Sequence, residues 1–111
     1  MISEVEIIKI KQIVLEVIEE NKDDISSLFL KQSTGEIHFD YFEAETDEAK
    51  MSSIKLELIT TTRVSLSFAI KSTLFANIPE LYSKLELQLK ERLSNIQFNL
   101  YSLKLKVLDI E

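Results

Sequence analysis

The sequence predicts an α+β fold: a mostly antiparallel sheet of three to five strands with two helices packed on one face. Two segments, residues 3–20 and 77–94, open on helix-capping residues and carry apolar side chains at three- and four-residue steps. Residues 54–70 alternate apolar and polar side chains, and residues 98–110 form a last apolar-rich run. Helix, one or two strands, hairpin, helix, strand is an order that a sheet covered by helices on one side satisfies. At 111 residues, with no linker, internal repeat or low-complexity tract, the chain is read as a single domain over residues 1–111.

The first helix starts at a capping box. The Ser3 hydroxyl can accept from an orphan N–H while Glu6 returns to the Ser3 N–H. Ile7, Ile10, Val14, Val17 and Ile18 then make an apolar stripe, and Asn21 to Asp24 end it near residue 20. Residues 25–32 fit a short strand or a helical turn, with strand preferred. Ser33, Thr34 and Gly35 signal a turn, and the alternation from Ile37 to Phe42 suggests a strand. Residues 43–53 read as a solvated loop, because their like charges repel and nothing apolar anchors the backbone.

Ile54, Leu56 and Leu58 share one face, as do Val64, Leu66, Phe68 and Ile70, so a hairpin turning near residues 61–63 is expected. The second helix has Asn77 as cap, Pro79 in its first turn and Glu80 three residues after the cap. Ile78, Leu81, Tyr82, Leu85, Leu89 and Leu93 form its stripe, and Glu86 with Lys90 is a favourable i, i+4 pair. In the last strand Tyr101, Leu103, Leu105 and Val107 alternate one way while Phe98, Leu100, Leu108 and Ile110 alternate the other. A bulge, or a strand covered on both sides, would explain that. The second alternative asks for another cover, most simply a second subunit, so a homo-oligomer is expected; residues 25–32 folding over that face within one chain is the competing explanation.

Charge is unevenly spread. Residues 1–53 hold 13 acids and 5 bases, whereas residues 54–111 hold 6 acids and 8 bases, within a net charge of −6. Glu36, Asp40, Glu43, Glu45, Asp47 and Glu48 follow one another with no Lys or Arg before Lys50. Phosphate-binding grooves need the opposite sign, so no nucleic-acid partner is expected, a local basic face apart. Lys55, Arg63, Lys71, Lys104 and Lys106 lie on or beside the strands and could form a weak anion-binding face. Lysines that keep sheet edges from pairing are the commoner explanation of that pattern.

Nothing in the residues points to catalysis. With no Cys and one His, a nucleophile and base would have to be built on His38, whose place in its alternating strand is most simply the solvent face. Zinc lacks its usual ligands, and the acidic run has neither the Gly nor the spacing of a calcium loop. No catalytic, cofactor-binding or metal-binding residue is therefore assigned, no cofactor is expected, and the chain is not expected to be an enzyme. No apolar run approaches the roughly 20 residues of a membrane-spanning helix. The acidic opening residues Glu4 and Glu6 oppose the basic start of a secretion signal, so a cytoplasmic protein is expected.

The strand residues Ile54 to Leu58 and Val64 to Ile70, the helix start Ile78-Pro79-Glu80, and a final strand of Leu103-Lys104-Leu105-Lys106-Val107 type occur in this order. In that respect residues 54–110 resemble the alkaline shock protein family, the envelope stress response proteins of low-GC Gram-positive bacteria. Asn21 to Asp24 stand where that family usually has a Gly-containing segment, and Thr73 to Ala76 where it has Tyr-Gly, which would make this chain a divergent member. The resemblance implies a small non-enzymatic cytoplasmic protein that self-associates, binds a protein partner and is held near the membrane through an anchoring partner without inserting itself. A rival expectation is an acidic secretion-type chaperone that binds an extended client segment along a sheet edge.

Overall fold

A computed structural model describes residues 2–33, 35, 39–74 and 76–110. The elements are α1 (Glu4–Glu20), β1 (Ile25–Ser33), β2 (Phe39–Glu43), α2 (Asp47–Ser53), β3 (Lys55–Leu58), β4 (Arg63–Ser72), α3 (Ile78–Ser94) and β5 (Asn99–Ile110). The capping box forms as read: the Glu6 N–H donates to Ser3 Oγ at 3.2 Å and the Ser3 N–H to Glu6 Oε1 at 3.3 Å. At α3 the Glu80 N–H donates to Asn77 Oδ1 at 3.2 Å, and Pro79 lies in the first turn where it removes no intrahelical bond.

Residues 25–32 resolve as strand, within β1. Ile37 and His38, read as part of the next strand, lie outside the described residues. The segment 43–53 corrects the expectation of a loop and of two helices. Thr46 caps a third helix, α2, its Oγ1 accepting from the Ala49 N–H at 3.0 Å. Asp47 and Glu48 stand at the positive end of this helix and Lys50 at the other, so charges that repel in a loop are placed favourably. Ser53 is buried and its hydroxyl donates to the Lys50 carbonyl at 2.6 Å.

β4 is the centre of the sheet. β5 runs along one of its edges, while β3 pairs with its first half and β1 with its second half on the other; β2 extends the sheet beyond β1. Three of the four pairings are antiparallel, and β4 with β5 is parallel. A parallel pair needs a crossover, which α3 supplies. Val64, Leu66, Phe68 and Ile70 of β4 are buried with Ile10, Val14 and Val17 of α1 and with Leu81, Leu85, Leu89 and Leu93 of α3. All of the α1 and α3 stripe residues just named are at most 2% exposed, so the core lies between one sheet face and this helix pair.

The double alternation of the last strand is settled by bulges. Val64 pairs with Leu100 but Ser65 with Ser102, and Ile70 pairs with Val107 but Lys71 with Asp109, so Tyr101 and Leu108 are the extra residues. Stepping over Tyr101 turns Leu100 to the same side as Leu103, Leu105 and Val107, opposite Val64, Leu66, Phe68 and Ile70. One face of β5 thus takes Leu100 of one register together with Leu103, Leu105 and Val107 of the other, while Tyr101 is left exposed.

Candidate functional site

On β4 the residues between the core positions are Arg63, Ser65, Ser67, Ala69 and Lys71, and they define the face that α1 and α3 do not cover. The register shows what flanks them. Ser65 stands between Glu57 and Ser102, Ser67 between Lys55 and Lys104, and Ala69 between Phe29 and Lys106. Lys31 follows Phe29 on the same side of β1 and pairs with Tyr41 of β2. The Ser65 and Ser102 hydroxyls bond at 2.7 Å.

Small side chains down the middle and long ones on both flanking strands make a trough. Two depressions open along it, one of about 590 Å³ bordered by Lys55, Ser65, Ser67, Ser102 and Lys104, with Lys11 of α1 at its rim. The other, of about 280 Å³, is bordered by Lys31, Tyr41, Lys55, Ser67 and Lys106. Ser52 of α2, Lys55 and Ser67 line both.

The Lys106 ammonium lies over the Tyr41 ring, 5.0 Å from its centroid. Hydrogen bonding to Lys106 and the charges of Lys106, Lys31 and Lys55 hold the Tyr41 phenol below its usual range, against a smaller opposing effect of burial. Tyr82 behaves oppositely: burial first, then the Glu86 carboxylate, push it up. Its hydroxyl donates to the Leu103 carbonyl at 2.8 Å and ties α3 to β5.

All five basic residues singled out in the sequence, Lys55, Arg63, Lys71, Lys104 and Lys106, fall on this face, and Lys31 joins them. Lys31 was missed because β1 could not be told from a helical turn, and its facing depends on that choice. Glu43 and Glu57 share the face, and Asp109 is the register partner of Lys71. The face is therefore positive in a chain whose net charge is −6. Lys22 pairs with Glu19, Lys90 with Glu86, and Arg92 with Glu16 and Glu20, away from this face. None of them neutralises Lys55 or Lys104.

A third depression, of about 520 Å³, lies between α1, β1 and α2 and carries Glu19, Glu43, Glu45 and Asp47 beside Lys22 and Lys50. Among the described residues no three His, Asp or Glu side chains converge as a metal-ligand set. Among the described residues no helix is long and apolar enough to cross a membrane. Compared with family models, curated proteins and solved structures, the chain matches none.

Proposed function

We propose that this chain is a non-enzymatic protein-binding module whose working surface is the open face of the sheet. The observation that carries the reading is the collection of Lys31, Lys55, Arg63, Lys71, Lys104 and Lys106 on one face of a chain with net charge −6. Protection of sheet edges explains lysines on β3 and β5. It does not explain Lys106 leaning inward over Tyr41, nor the small residues Ser65, Ser67 and Ala69 that keep the middle of the face open. The resemblance to envelope stress response proteins fits this reading and adds self-association and an anchoring partner near the membrane.

Client binding along an edge, the chaperone reading, is less well supported. The free side of β5 is interrupted by the bulges at Tyr101 and Leu108, which distort the row of backbone groups that an added strand would need. Proximity labelling in the native cell tests the proposal. A Lys55→Glu/Lys104→Glu variant is expected to lose partners that the wild type and a Lys84→Glu control, altered on exposed α3, both label. An unchanged partner set in the face variant would rule the reading out. Sedimentation velocity at micromolar concentration tests the self-association that the resemblance implies, with a strictly monomeric species as the contrary result.

A further inference from the structure

The shape and charge of the trough restrict what it can hold. Lys104 and Lys106 are two residues apart on β5 and share a face, a separation of about 6.6 Å along the strand. Lys55 and Lys104 stand on the two strands flanking Ser67, about 9.5 Å apart across the sheet at backbone level. These charges form rows and do not converge on one point, so a single small anion would engage only a fraction of them. An extended peptide presents the side chains of one edge every two residues, about 6.6 Å apart, which is the repeat of the lysine row. Ser67 and Ser52 add hydroxyl donors along its course.

Two other polyanionic surfaces fit less well. Single-stranded nucleic acid gains much of its affinity by stacking bases on open aromatic rings. On this face the Tyr41 ring is already capped by Lys106 and Phe29 is half-buried. A lipid surface is broad and flat, whereas Ser65, Ser67 and Ala69 lie at the bottom of a channel between longer side chains.

We propose that the trough binds an extended acidic peptide segment, laid along β4 with its carboxylates paired to Lys55 on one wall and to Lys104 and Lys106 on the other. The proposal rests on the open face being the working surface and names the chemistry of its partner. Specificity comes from sign and spacing: a peptide with acids at alternate positions pairs with a row, whereas clustered acids leave lysines unmatched.

The test is fluorescence anisotropy of the full chain, at low ionic strength, against a labelled ten-residue peptide of alternating Glu and Ser. Saturable binding is expected, and a tenfold rise in salt should weaken it. Each lysine lost should weaken it by about two- to fivefold, so Lys55→Gln/Lys104→Gln should show a loss of about tenfold. Lys9→Gln/Lys84→Gln, on the helices, should leave it within about twofold. The far-UV spectrum and melting midpoint establish that each variant is folded, and Lys104→Gln/Lys106→Gln replaces the first pair if it is not. No saturable binding, equal binding by the trough and helix variants, or tighter binding of a ten-nucleotide oligothymidine would each overturn the proposal. Loss of the peptide result while Lys55→Glu/Lys104→Glu still sheds its partners in cells would overturn the acidic peptide alone and leave the face as the working surface.

Discussion

Lys106 on β5 reaches the ring of Tyr41 on β2, two strands beyond its own neighbour β4, with its ammonium 5.0 Å from the ring centroid. Ala69, the β4 residue beside Lys106, is small and puts no long side chain on β4 in its path. The cation biases the phenol, and that bias can be read directly.

Tyr41, held low by Lys106 and its neighbouring lysines, should ionise before Tyr82, which burial and Glu86 hold high. Ultraviolet titration of Tyr41→Phe and Tyr82→Phe assigns the two steps, and Lys106→Met should delay the early one. The sign follows from linkage: a phenol whose folded pKa is depressed adds stability present above its unfolded value of about 10 and lost as pH falls through the folded pKa. Tyr82 does the reverse, its contribution being lost as pH rises above about 10. An early step that survives in Lys106→Met would show that Tyr41 is tuned by something else.

The start of α3 makes a second prediction. Asn77→Ala removes the acceptor of the Glu80 N–H and should cost about 1 kcal/mol in urea unfolding. Pro79→Ala keeps every bond and should cost under about 1 kcal/mol, through the freedom returned to the unfolded chain. A neutral Asn77→Ala would mean that the cap contributes nothing.

Gln97 turns the chain from α3 into β5 with φ of 67°, a left-handed conformation that a Cβ disfavours. Its N–H bonds the Ser94 carbonyl and the Phe98 N–H bonds the Leu93 carbonyl, so the turn is held by the surrounding structure. Gln97→Gly should therefore raise stability by about 0.5–1 kcal/mol, the relief outweighing the extra unfolded-state entropy. A drop in the thermal midpoint would contradict this.

The bulge at Tyr101 predicts an asymmetry between two deletions. Removing Tyr101 lets Leu100, Ser102 and Leu103 face Val64, Ser65 and Leu66 in regular register, and the change should cost no more than about 2 kcal/mol. Removing Lys104 instead turns Leu105 and Val107 to the open face, which should cost at least about 3 kcal/mol. Urea melts of the two variants decide, and equal costs would show that the bulge does not set the register.

Much of the fold was legible because the signals are local. Ser3 with Glu6 and Asn77 with Glu80 announce helix starts within four residues, and the spacing of Ile10, Val14 and Val17 or of Leu81, Leu85, Leu89 and Leu93 gives each helix its buried side. Val64, Leu66, Phe68 and Ile70 mark a half-covered strand by alternation alone. The segment 43–53 was misread because its charges stabilise or repel according to where helix ends fall, which Thr46 decides by capping. The bases on β3, β4 and β5 could be recognised in the sequence as a potential anion-binding face.

Whether those bases share a face was a matter for the tertiary structure. Facing in a sheet depends on register, and β5 changes register at Tyr101 and again at Leu108, so no period in its sequence fixes which way Lys104 and Lys106 point. Lys31 could join them only once β1 had paired with β2 and β4. The sequence by itself determined α1, α3, the central strand and the sign of each charge. Pairing between strands far apart in the chain decided that Lys31, Lys55, Lys104 and Lys106 stand around one trough, because the contacts that bring them together are long-range and leave no local pattern.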